Sequence, residues 1–98
     1  MALDATTRGF LEQTIDTVVQ NVHNLVKVFF NPDVRAQLHI QNQDDFVLGT
    51  GLGIIQQTFF AYFVSEHGRY PNEQEHSETV DIILRRAADI RNAIFKVE

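Results

Sequence analysis

Apolar residues recur along this chain at helical spacing, and the alternation expected of a strand nowhere persists. Leu11, Ile15, Val18, Val22, Leu25 and Phe29 follow one another in steps of four and three, the spacing of a coiled-coil-like seam, and Val19 and Val26 widen it into the face of a bundle helix. Glu12, Asp16, Gln20, Asn24 and Lys27 take the opposite, water-facing side. The pattern predicts a helix from about Asp4 or Thr7 to Phe30, with Val28 and Phe30 off the seam and in need of a second neighbour. Asn31-Pro32-Asp33 ends it and begins another, because asparagine caps, proline suits the first helical position and aspartate suits the N-terminal dipole. A short helix from Pro32 to about Ile40 is expected, its Val34, Leu38 and Ile40 closing one end of the core.

After the polar connector 41–45, Asp44 or Asp45 is the expected N-cap of a third helix that ends at His67-Gly68, where glycine can take the left-handed conformation. Pro71-Asn72 then caps a last helix, Glu73 to about Val97. Its seam reads Val80, Ile83, Ala87, Ile90, Ile94 and Val97, with Leu84, Ala88 and Phe95 flanking. Glu73, Glu75 and Glu78 come early in this helix and Arg85, Arg86, Arg91 and Lys96 later, which complements the helix dipole, and Asp81 and Asp89 are placed to pair with Arg85. The fold class is all-α: a compact bundle of three long helices and one short one, forming a single domain over 1–98.

The third helix departs from this amphipathic rule. From Phe46 to Val64 the only ionisable side chain is Tyr62, and apolar residues occupy every side, so the segment has to be surrounded by the rest of the chain, by a second copy, or by lipid. The other helices can cover only part of it. A remaining exposed face is expected, and with it a two-fold homodimer that completes the bundle. Phe59, Phe60, Tyr62 and Phe63 crowd its C-terminal half. Gly49 and Gly53 lie one turn apart on one face, with Gly51 to the side, and allow close approach of a neighbouring helix from within the chain or from a second copy. Gln56 and Gln57 point about 100° apart, so one of them is expected to be buried, pairing with its symmetry mate or with nearby backbone. Gly49, Gly53, Gln56, Gln57, Phe59, Phe60 and Phe63 are therefore the candidate interface. The segment also meets the length of a membrane span, against which stand the central glutamines, Thr50 and Thr58, the three glycines and the lack of a flanking basic cluster.

Composition narrows the chemistry. A chain of 98 residues suits one domain burying roughly 60–68 % of its unfolded surface. A formal charge of −5 opposes broad non-specific binding to nucleic acid or anionic lipid. The absence of cysteine excludes disulfides, thiolate metal sites and a thiol nucleophile, and with the lack of a signal-peptide pattern at MALDATTRGFLEQ it points to an unprocessed cytoplasmic protein. GTGLG matches neither the dinucleotide fingerprint nor a Walker loop, since no strand precedes it and the lysine is missing. Glu73-x-x-His76 has the spacing of a di-iron helix motif, yet the other seams offer no inward glutamate. His67 and His76 are the only plausible imidazole pair, and His23 and His39 read as bundle-surface residues. His67, Arg69, Tyr70 and His76 could line a small cleft at one end of the bundle. The alternative there is Tyr70 packed across the corner and Arg69 paired to a glutamate.

No catalytic elbow, carboxylate pair or cofactor motif stands out, and neither a cofactor nor a metal is expected. The expected function is a non-enzymatic, self-associating protein-interaction module, with a further protein partner left open. Two other readings compete. A DNA-binding regulator would use the last helix and its Arg85, Arg86, Arg91, Lys96 cluster, although Glu73, Glu75 and Glu78 stand where a recognition helix should meet phosphate. A binder of small apolar ligands would use a cavity beside the glycines, ringed by Phe59, Phe60 and Phe63.

Overall fold

Side-chain caps at Asp4, Asn31, Asn42 and Asn72 begin the four helices of the chain, whose computed structural model describes residues 2–97. The elements are α1 (Ala5–Phe29), α2 (Pro32–Leu38), α3 (Gln43–His67) and α4 (Glu73–Val97), and no strand occurs among the described residues. Helices of 25 residues are about 37 Å long, and three of them side by side give the elongated 42 × 24 × 18 Å shape. α1, α3 and α4 pack mutually, while α2 touches only α1 to any extent.

The seams of α1 and α4 bury much of what their periodicity announces. Leu11, Ile15, Val18 and Val22 of α1 and Ile83, Ile90 and Ile94 of α4 form a single core with Val47, Ile55, Phe59 and Phe63 of α3. The details differ where the repeat was extended too strictly. Val26 replaces Leu25 at the centre of the α1 seam, with Leu25 and Phe29 half-buried beside it. An uncoiled helix drifts about 20° per heptad off a 3.5-residue repeat, which carries the interior forward by one residue. On α4 Ile82 and Thr79 join the core, Val80 and Ala87 are only half-buried, and Leu84, Phe95 and Val97 are exposed. The Thr79 hydroxyl donates to the Glu75 carbonyl oxygen at 2.8 Å, which satisfies it in that interior position.

The short helix also corrects its expectation. α2 stops at Leu38 because His39 takes the left-handed conformation (φ 55°), and the chain reversal turns Ile40 inward and leaves Leu38 exposed. Arg35 locks this turn by donating to the Ile40 and Gln41 carbonyl oxygens at 3.1 and 3.2 Å. Asn42 caps α3, accepting from the Asp45 amide at 3.0 Å, so Asp44 and Asp45 lie in the first turn, favourably placed on the helix dipole, and neither is the cap. Gly68 ends α3 in the left-handed conformation (φ 67°), as its position after His67 foretold.

Charged groups bind the helices together at the rim. Arg86 of α4 donates to Glu12 and Asp16 of α1 at 2.8 and 2.6 Å and to Asp89 on its own helix at 2.7 Å. Asp89 therefore serves Arg86, whereas Arg85 reaches only the Asp81 backbone carbonyl at 3.4 Å. Arg91 joins Asp45 of α3 at 3.0 Å. Glu78 accepts from the Ala2 and Leu3 amides at 2.8 and 3.0 Å, which draws the N-terminal segment across α4 and buries Leu3 in the core.

Candidate functional site

The residues of α3 that face the core are Val47, Gly51, Ile55, Phe59 and Phe63, one in every four. Such a four-residue ridge winds around the helix by about 40° at each step, so α3 offers its neighbours one narrow stripe. Only 28 % of its most apolar window is buried. Gly49, Gly53, Gln57, Ala61 and Ser65 form the opposite, exposed ridge, with Gln56 and Ile54 also open to solvent and Leu52, Phe60 and Val64 half-buried on its shoulder. The helix is by length and composition apolar enough to cross a membrane, and in this fold it is a bundle helix with one face uncovered.

This placement sorts the candidate interface. Phe59 and Phe63 are fully buried core side chains and are withdrawn from it, because the winding of the ridge carries both toward α1 and α4. Neither Gln56 nor Gln57 is buried, since both fall beyond the edge of the narrow stripe. The close approach within the chain is at Gly51, where a Cβ would lie 3.3 Å from Val18 Cγ1 and 3.7 Å from Ile90 Cγ2. Gly49 and Gly53 face open space, with nothing within 4 Å of a Cβ at either position, so packing inside the chain does not account for them. Phe60 remains available on the shoulder, its ring lying 6.1 Å from that of His76.

α4 widens the uncovered surface. Phe60 lies beside His76, and Asp45 beside Arg91, an antiparallel register that sets Leu52 level with Leu84 and Leu48 level with Ala88. Leu84 is 64 % exposed and Ala88 is exposed as well. Both stand one residue past the α4 seam positions Ile83 and Ala87, which is why seam reading alone assigned them to its flank. Ile54 was likewise missed; Tyr70, expected at the end cleft, instead lines an open hollow with Gln57, Phe60, Ala61 and Val64. That hollow connects the α3 face with the turn before α4.

The end of the bundle is organised by an ion pair. Arg69 donates to both oxygens of Glu75 at 2.7 and 3.0 Å, and its guanidinium lies 5.3 Å from the centre of the Phe63 ring. Glu75 Oε1 also accepts from the Asn72 amide at 2.8 Å while the Asn72 side chain accepts from the Glu75 amide at 2.9 Å, a reciprocal capping box for α4. Arg69 and the Asn72 amide together hold the Glu75 carboxyl below the ordinary glutamate range, and Glu75 raises Arg69 further. His67 lies against Phe63 at 4.2 Å and beside the Thr7 hydroxyl at 3.4 Å, whereas His76 lies beside Phe60. The four end-cleft candidates thus do not converge: Arg69 is consumed by Glu75, the imidazoles serve different neighbours, and Tyr70 is 77 % exposed, neither packed across the corner nor part of a cleft with the histidines.

No group of three metal-capable side chains assembles among the described residues, Glu73 and His76 included. Two of the four basic residues of α4 are committed to ion pairs, Arg86 to three carboxylates and Arg91 to one. Phe59, Phe60 and Phe63 do not ring a cavity, because two of them fill the core and the third faces outward. The chain matches no protein-family model, no curated protein and no solved structure.

Proposed function

We propose that this chain is a small, non-enzymatic, cytoplasmic interaction module that works by self-association through the outward face of α3 and the adjoining edge of α4. The observation that carries the reading is the mismatch between composition and burial on α3: an apolar helix of which only Val47, Gly51, Ile55, Phe59 and Phe63 are buried. Ile54, Leu52, Phe60, Val64 and Leu84 would leave water on association, and the open space over Gly49 and Gly53 would receive the second copy's side chains. A standard interface buries about 800 Å² per partner, so the Leu84–Ala88 edge of α4 would have to join the α3 face in the contact. Gln56 and Gln57, outward at the middle of this face, favour a protein surface over lipid, where unpaired amides are costly.

The test is the absolute mass of the detergent-free protein by light scattering over a dilution series, with Gly53→Leu and Phe60→Asp beside it. The expected result is a dimer for the natural sequence and a monomer for both variants, with helicity retained because neither side chain belongs to the core cluster. A natural sequence that is monomeric at every concentration refutes the reading. Recruitment to phosphatidylcholine vesicles with loss of solubility in their absence would assign the same face to lipid.

A further inference from the structure

We infer that the second copy lies antiparallel across α3, with Gln56 and Gln57 at the two-fold axis, so that Phe60 and Val64 of one chain fit over Gly53 and Gly49 of the other. The inference rests on the self-association reading above and adds the orientation and register of the pair.

The uncovered face is divided into two unlike halves. Its N-terminal half carries the hollows, Gly49 and Gly53, each with nothing within 4 Å of a Cβ. Its C-terminal half carries the projections, Phe60 and Val64, half-exposed on the shoulder toward α4. Gly53 and Phe60 are equidistant along the helix from the midpoint between Gln56 and Gln57, and so are Gly49 and Val64. A two-fold axis through that midpoint, perpendicular to the helix, brings each projection to a hollow. A parallel pair would instead set Phe60 level with Phe60 and hollow level with hollow, leaving voids at one end and crowding at the other.

Charge is divided in the same way. Asp44 and Asp45 stand at the N-terminal end of α3. The same axis places these acidic first turns at opposite ends of the pair and opposes the two helix dipoles. A parallel pair would gather four aspartates at one end. At the axis itself Gln56 of one chain meets Gln57 of the other, and each amide offers both donors and an acceptor to its counterpart. Size, charge and hydrogen-bonding capacity therefore converge on one orientation from separate residues.

The chain contains no cysteine, so single introduced thiols report geometry without background. After oxidation with diamide, Gln57→Cys should cross-link to itself in most of the chains. Val64→Cys alone should not, because antiparallel copies of position 64 lie about 22 Å apart along the axis, far beyond the Cα separation of about 7 Å that a disulfide tolerates. An equimolar mixture of Gly49→Cys and Val64→Cys, annealed before oxidation, should yield the mixed dimer at a level well above either self-pair. Efficient self-linking of Val64→Cys overturns the orientation in favour of a parallel pair. A dimer by mass in which Gln57→Cys does not cross-link overturns the register while leaving self-association standing, and a monomer by mass removes both.

Discussion

Gly51 of α3 and Val18 of α1 meet with almost no space between backbone and side chain: a Cβ on the glycine would sit 3.3 Å from Val18 Cγ1. Of the three glycines in the apolar helix, only this one has its missing side chain accounted for by packing in the same chain. The three should separate in unfolding experiments at dilutions where the protein is monomeric. Gly49→Ala and Gly53→Ala should each stabilise by up to about 1 kcal/mol, since alanine favours the helix and nothing obstructs it. Gly51→Ala should gain less, because Val18 has to shift, and Gly51→Leu should cost about 1–3 kcal/mol through overpacking. Equal stabilisation by alanine at all three positions would contradict the contact.

Arg86 should matter more than any other basic residue of α4. Its three carboxylate partners, Glu12, Asp16 and Asp89, are each about half exposed and can regain water when it is removed, so the loss is moderated by solvent. Arg86→Met should lower stability by about 1 kcal/mol, whereas Arg85→Met, which breaks no ion pair, should stay within about 0.5 kcal/mol of the natural chain. The difference between the two should shrink in high salt. Urea titrations at two ionic strengths would measure it, and a salt-independent difference would show that Arg86 acts through packing of its aliphatic stem.

Glu75 should contribute to acid sensitivity. Its carboxyl is held below the ordinary range in the folded protein, chiefly by the Arg69 hydrogen bonds and next by the Asn72 amide. A depressed folded value means that the stabilisation is complete above the unfolded glutamate pKa of about 4.3 and disappears as pH falls through the folded value. Stability measured from neutral pH downward should therefore begin to fall near pH 4 to 5, and Glu75→Gln should remove part of that slope while lowering stability at neutral pH. An unchanged slope in the variant would place the acid response elsewhere, with Asp4 at the α1 cap the next carboxylate to test.

Two turns hold left-handed residues of opposite suitability. Gly68 fits its conformation (φ 67°), and Gly68→Ala should destabilise by about 1 kcal/mol. His39 occupies a similar conformation (φ 55°) with a side chain attached, so His39→Gly should stabilise by up to about 1 kcal/mol. Thermal melts of both variants would check the pair, and destabilisation by His39→Gly would reveal an interaction of the imidazole that offsets the backbone cost.

Helix number, the N-caps of α2 and α4, the glycine that ends α3 and most of the core positions of α1 and α4 were legible along the chain, because each rests on neighbours within four residues. Asn31-Pro32, Asn72 followed by Glu75, and glycine after His67 act locally, and an amphipathic seam declares its buried side wherever it packs. α3 could declare no side, having apolar residues all round. Its inward ridge of Val47, Gly51, Ile55, Phe59 and Phe63 was set by where α1 and α4 pack against it, and that placement decided which aromatic rings fill the core, which glycine is packed and which glutamines face water. Ion-pair partners were decided at the same level. Spacing along α4 favours Arg85, with Asp81 and Asp89 each four residues away, yet the arrival of Glu12 and Asp16 from α1 selects Arg86. Periodicity thus determined the elements, while the packing of α1 and α4 against one side of α3 determined the surface left over, since a helix without a polar face carries no local record of its own orientation.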